Sequence, residues 1–228
     1  MKPSASLLVS LFSLACISAS KAAIVASYNF TTDLTSGDSE ATSTASPIQG
    51  GAGLEAAVGA DVGWGRSSNA SFLDLFVRST VTGTTLAADD YVGFTVTMNP
   101  GVAYNLTTLT FKYSVQLTSQ GVGPFTAYAV VRSSLDNFAT NLATFNHTRE
   151  NTNGINILSP APSVNLSSHT NVSGSVEFRI YIYDDADSPL SLARIDNLIL
   201  NADIVPEPSG VSLVAFGSLV VGLRRKRR

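Results

Sequence analysis

Two stretches of this chain alternate apolar and polar residues with a period of two. Leu109, Phe111, Tyr113 and Val115 are interleaved with Thr108, Thr110, Lys112 and Ser114. Val176, Phe178, Ile180 and Ile182 are interleaved with Glu177, Arg179, Tyr181 and Tyr183. Successive side chains of an extended strand point to opposite faces, so this pattern predicts antiparallel strands with one face buried. Further strands are predicted at Ile24–Phe30, Ser71–Val77, Tyr91–Met98, Phe125–Arg132, Leu142–His147, Ser163–Leu166 and Arg194–Asn201. Turn chemistry separates them: Asn99-Pro100-Gly101, Gly121-Val122-Gly123-Pro124, Asn153-Gly154 and Ser173-Gly174. Helical periodicity is almost absent. About nine short strands at this spacing predict an all-β fold, a β-sandwich of the jelly-roll kind.

The rest of the organisation follows from where the pattern fails. Thr31 to Gly53 is rich in Thr, Ser, Gly and Ala, and reads as a long loop carrying one edge strand. No repeat of 20 to 50 residues is present, which argues against a solenoid or propeller. The first and last predicted strands are expected to pair, bringing the two ends of the body together.

The chain closes on a different kind of segment. Val205-Pro206-Glu207-Pro208-Ser209 is followed by an uncharged run from Gly210 to Leu223, then by Arg224, Arg225, Lys226, Arg227 and Arg228. Pro206 and Pro208 lack N–H donors and fix φ, so the motif is extended and open to a processing enzyme. As a helix the apolar run spans roughly 21 Å, against about 30 Å for a hydrocarbon core. Snorkelling by Arg224 and local thinning close part of that gap. The five cations favour the cytoplasmic side and leave the body outside.

The tail resembles the PEP-CTERM sorting signal of exported bacterial proteins, in which a Val-Pro-Glu-Pro-Ser/Thr motif precedes a transmembrane helix and a basic cluster. That resemblance implies that Pro206, Glu207 and Pro208 are read by an exosortase, a membrane-embedded cysteine transpeptidase-like enzyme. This chain would be its substrate. It also implies association with exopolysaccharide and biofilm. Three short motifs of the body are similar to other ectodomains of this group: Tyr28-Asn29-Phe30, Val131-Arg132-Ser133-Ser134-Leu135-Asp136-Asn137-Phe138 and Arg194-Ile195-Asp196-Asn197-Leu198.

The N-terminus also reads as an export signal. Lys2 supplies the positive region, and Leu7 to Ile17 the apolar one. Small residues allow cleavage after Ala22 or after Ser20, and either removes Cys16, the one cysteine. Lipoprotein processing at Cys16 is a rival, disfavoured by Ser13 where such sites prefer Leu. The mature chain then has no thiol for catalysis, disulfide or metal. The expected organisation is a signal peptide at 1–22, a β-sandwich ectodomain at 23–204 and a sorting tail at 205–228.

Charge separates body from tail. The formal net charge of the whole chain is −3, yet the stretch from Ala23 to Ile204 holds seven Lys and Arg against sixteen Asp and Glu. That acidic balance disfavours nucleic acid as a partner.

Catalytic constellations are sparse. His147 and His169 lie in no metal-spacing motif, and both read as surface residues. Ser134 and Asp136 beside a histidine would make a triad, but no strained Gly-x-Ser-x-Gly turn supports one. Asp184, Asp185 and Asp187 form a cluster with two readings, a solvated turn or a calcium loop. No other cofactor is implied. Trp64, the single tryptophan, lies between Gly63 and Gly65 with Arg66 beside it. It reads either as packing under a loop or, with Arg66, as a sugar platform. Tyr181 and Tyr183 form a stripe that binds ligand or packs beneath a second layer. Six Asn-x-Ser/Thr triplets, at Asn29, Asn69, Asn105, Asn146, Asn165 and Asn171, are expected by chance at this composition.

These features support an exported, non-enzymatic surface or matrix protein first. A carbohydrate-binding, lectin-like module is the alternative, and a polysaccharide-active enzyme the third reading.

Overall fold

The computed structural model describes residues 21–54, 63–66, 75–78, 86–117, 124–149, 154–185 and 191–205. Thirteen strands lie within them: β1 (Lys21–Tyr28), β2 (Ser43–Ala45), β3 (Gln49–Gly50), β4 (Gly63–Arg66), β5 (Leu75–Arg78), β6 (Tyr91–Met98), β7 (Ala103–Leu117), β8 (Phe125–Ser133), β9 (Ala143–Arg149), β10 (Gly154–Ile157), β11 (Ser163–Asn165), β12 (Ser175–Asp184) and β13 (Ser191–Val205). The described structure is all-β apart from one 3-10 turn at Ser134–Asp136.

The strands form two antiparallel sheets. In the first, β7 and β13 lie side by side at the centre; β10 and β11 flank β7, β1 and β5 flank β13, and β4 pairs with β5. In the second the order is β6-β12-β8-β9, with β2 and β3 on the outer edge of β6. Taking β5 to β13 as eight successive strands, with β10 and β11 as one, gives the jelly-roll order on each sheet.

The period-two pattern dictates which faces meet. Leu109, Phe111, Tyr113 and Val115 are buried on β7, and Val176, Phe178, Ile180 and Ile182 on β12, all in one core cluster. Aromatic contacts join the sheets. Tyr28 on β1 meets Phe94 on β6 at 5.3 Å between ring centroids, and Phe111 on β7 meets Phe145 on β9 edge to face at 5.8 Å.

The expected pairing of first and last strands is present: β1 runs antiparallel to β13, from Lys21 opposite Ile204 to Tyr28 opposite Leu198. Asn197, with a left-handed φ of 50°, sits in a bulge between Asp196 and Ile199. The bulge divides β13 into a half that pairs with β5 and a half that pairs with β1. This gives Arg194-Ile195-Asp196-Asn197-Leu198 a structural reason.

Several expectations are corrected. Thirteen strands stand where about nine were expected. Thr31–Gly53 carries two short edge strands, β2 and β3, and not one. β4 and β10 are additional; each has four residues and a glycine start, too little for alternation to register. β13 runs four residues past Asn201 to Val205, so Val205, expected as the first residue of the sorting tail, pairs with Ala103 in the sheet, and Ile204 pairs with Tyr104. Alanine at 202, buried at the next inward position, concealed the continuing period. Residues 1–20 and 206–228, with the signal sequence, Pro206 to Ser209, the apolar run and Arg224 to Arg228, lie outside the described residues. Among the described residues no helix is long and apolar enough to cross a membrane.

Candidate functional site

Alternation along β12 places Glu177, Arg179, Tyr181 and Tyr183 on the outer face of the second sheet. Register brings Tyr91 and Gly93 of β6 beside Tyr181 and Arg179 on one flank. On the other, Arg132, Val130 and Tyr128 of β8 stand beside Arg179, Tyr181 and Tyr183. The guanidinium of Arg179 lies between two rings, 4.1 Å from the centroid of Tyr91 and 3.7 Å from that of Phe138. Its Nε donates to Glu177 at 2.6 Å and a terminal nitrogen donates at 3.3 Å. Cation–π contact of this kind contributes about 0.5–2 kcal/mol. Gly93 leaves room for it: a Cβ there would stand 2.6 Å from the Phe178 carbonyl oxygen and 3.5 Å from Arg179 Cγ.

The β8–β9 loop folds back onto this face. Arg132 donates to the Phe138 carbonyl at 3.1 Å and to Asn141 at 2.7 Å, and its guanidinium lies 5.6 Å from the Tyr181 ring. Asn137 and Phe138 both take left-handed φ, 57° and 60°, which turns the Phe138 ring toward Arg179. Asp136 accepts from the backbone N–H groups of Ala139 and Thr140 and from the Thr140 hydroxyl. That hydroxyl contact first, and the backbone contacts after it, hold its carboxyl below the usual carboxylate range. The Val131–Phe138 motif is thus a self-capped loop that lays one aromatic ring over one guanidinium.

The two tyrosines singled out from sequence share this face, in different states. Tyr181 is only 2% exposed, against Tyr91 at 5.4 Å between centroids. Tyr183 is half-buried and stacks on Tyr128 at 4.8 Å with planes 13° apart. Burial, then the neighbouring Tyr128 hydroxyl, pushes the Tyr183 hydroxyl up. Register continues this row to Asn146, exposed on the edge strand β9.

Trp64 and Arg66 lie elsewhere, on β4 at the edge of the first sheet. Trp64 is partly buried against the core and crosses to β3 of the second sheet, where a Cβ on Gly50 would stand 2.0 Å from its indole nitrogen. This is the packing arrangement. Arg66 donates to the Thr31 carbonyl at 3.4 Å. Gly50→Ala is expected to displace the indole at a cost of about 1–3 kcal/mol, the range for overpacking. A Trp64 fluorescence shift with a lower urea midpoint checks it; an unchanged spectrum overturns it.

The aspartate cluster divides. Asp185 accepts the Thr126 N–H, and its own N–H donates to the Thr126 carbonyl, closing the end of β8. Asp184 points inward near Tyr113, whose hydroxyl is pushed up by burial first and by the Asp184 charge second. Asp187 lies outside the described residues. Among the described residues no group of three or more His, Cys, Asp or Glu is placed to hold a metal ion. Ser134, Asp136 and His147 are not brought together. The Ser134 hydroxyl accepts the Glu177 N–H, and His147 pairs with Ala127, seven positions along β8. His147, expected on the surface, faces inward: β9 alternates, and Phe145, His147 and Arg149 take its inner face. The thin polar loop sequence around it hid that orientation. His169 is half-buried, with Nδ1 within 3.3 Å of the Leu166 carbonyl.

Sequence reasoning missed an open cleft of about 370 Å³ at the side of the sandwich. Thr144, Phe145 and Asn146 of β9 form one wall; Leu158, Pro160, Ala161 and Ser163, from the β10–β11 connection, form the other. These residues come from the edges of both sheets, and no spacing in the sequence links them.

No family model matches the chain, and no curated protein matches it. Solved structures that are similar in part include the following three. A cleaved adhesin domain of Lys-gingipain from Porphyromonas gingivalis is 14% identical with a TM-score of 0.35, covering 76% of this chain and 95% of that one. A carbohydrate-binding module with specific mannan recognition, TmCBM27, is 14% identical with a TM-score of 0.36, covering 79% and 98%. A cyclase from Fischerella sp. is 13% identical with a TM-score of 0.28, covering 80% and 87%. At these values the function rests on the chain's own residues.

Proposed function

We propose that this is an exported, non-enzymatic cell-surface or extracellular-matrix protein, held in the membrane by its tail and then processed there by an exosortase. The observation that carries the reading is the pairing of β1 with β13. It sets Lys21 opposite Ile204, so both ends of the sandwich leave from one place, and the Pro206-Glu207-Pro208 motif follows β13 directly. A body tethered there stands on the outer membrane face with its opposite end free. The same pairing favours signal cleavage after Ser20, because cleavage after Ala22 would remove two residues that pair with Ile204 and Asp203. The basic tail and acidic body support export, and the resemblance of the tail to the sorting signal implies association with extracellular polymer and biofilm.

Mass spectrometry of the exported protein tests this. The expected mature chain begins at Lys21 and ends near the Pro-Glu-Pro motif. An exported protein that retains Arg228 would sink the processing step. A second reading, a carbohydrate-binding module, is favoured by the uncharged cleft beside Phe145.

A further inference from the structure

The cleft between β9 and the β10–β11 connection has a consistent chemistry. None of its seven lining residues is ionisable. Phe145, Leu158, Pro160 and Ala161 offer C–H surface; Thr144, Asn146 and Ser163 offer two hydroxyls and an amide. Its volume, about 370 Å³, falls within the range of small-ligand sites, about 300–1,000 Å³. The Phe145 ring is held edge to face against Phe111, so this wall is preformed.

From these features we infer that the cleft binds a neutral saccharide chain, with Phe145 and Pro160 against sugar C–H faces and Asn146 and Thr144 hydrogen-bonded to sugar hydroxyls. A pyranose presents the same alternation of C–H faces and hydroxyl edges. The acidic body repels anionic polymers. The nearest cation on the strand, Arg149, is buried and donates to the Val115 and Gly154 carbonyls. The path continues beyond the cleft: Asn146 is in register with Tyr128, which stacks on Tyr183.

A docked partner strand is the competing occupant, because β9 is an edge with backbone groups open on one side. Of β9, Thr144, Phe145 and Asn146 line the cleft. Arg149 ties the far end of β9 to β7 and β10.

The inference deepens the carbohydrate-binding reading and is independent of tail processing. It is tested by calorimetric titration of the full chain with cellohexaose, mannohexaose and laminarihexaose, and with hexagalacturonate as the anionic control. At least one neutral probe is expected to bind with a dissociation constant below about 1 mM. Asn146→Ala is expected to weaken that binding about tenfold, as for one lost hydrogen bond. Asn146 is exposed, so the thermal midpoint stays unchanged, which separates a lost contact from lost folding. Thr144→Ala, also exposed, is expected to weaken binding in the same direction. No binding of any neutral probe, binding that survives both substitutions, or binding of hexagalacturonate alone overturns the inference. So does dimerisation that Asn146→Ala abolishes when no saccharide binds, which assigns the edge to a second copy. Failure here leaves the sorting proposal standing, and an uncleaved tail leaves this one standing.

Discussion

Arg149→Ala is expected to lower the stability of the sandwich by about 3 kcal/mol, the scale for removing a buried charged hydrogen-bond donor. Arg149 ends the edge strand β9 on its inner face and is 2% exposed. Its guanidinium crosses to the first sheet, where it donates to the Val115 carbonyl of β7 at 3.0 Å and the Gly154 carbonyl of β10 at 2.6 Å. Burial lowers its pKa from the ordinary arginine value, the mark of a charge drawn out of water. Alanine leaves both carbonyls without that donor and removes the volume that fills the end of the core. Lysine is expected to recover less than half of the loss, because a single ammonium does not reproduce the planar fork that reaches two carbonyls. Urea unfolding measures both variants. A loss under about 1 kcal/mol for alanine would show that the two sheets are not tied here.

Arg149 also marks the boundary of what was legible in the sequence. Strong alternation located the central strands β7 and β12 and their inward faces, because a one-residue slip would have turned Phe111 or Phe178 to water. Pairing of the first and last strands was legible from the sandwich class. Short strands were not: Gly63-Trp64-Gly65-Arg66 owes its extended form to pairing with β5, a tertiary cause absent from its own residues. The same holds for β10 against β7.

The candidate site was half legible. Tyr181 and Tyr183 were placed on one face by period alone. Their neighbours Tyr91, Tyr128 and Arg132 came from strands up to 90 positions away, set by sheet order, and Phe138 came from the β8–β9 loop over Arg179. The cleft was hidden for the same reason. Trp64 read as packing or, less readily, as a platform, and what Gly50 adds is the position of its ring. A glycine's role there depends on what crosses it, which no local pattern records.

Phe178→Ala is expected to be costlier still, about 3–5 kcal/mol, the range for deleting a buried aromatic ring. Phe178 is fully buried at the middle of β12, which is bonded on both sides, to β6 and β8. Its ring lies 5.6 Å from Phe94, and Phe94 lies 5.3 Å from Tyr28 on β1. This column joins the strand that begins the body to the centre of the opposite sheet. Tyr28 also donates its hydroxyl to the Ser46 carbonyl at 2.5 Å, which anchors the loop before β3. A strand held on both edges relaxes little, so the cavity stays open and the full cost is felt. Phe178→Leu keeps most of the volume and is expected to cost less than about 1.5 kcal/mol. Domains of this size hold about 5–15 kcal/mol in all, so the alanine variant gives up a large share of the total. Urea titration by circular dichroism compares the two variants, and equal losses would place the cost in lost ring contacts and not in the cavity. If β12 carries this load, the loss appears as a shifted midpoint with an unchanged slope, because the two sheets unfold together.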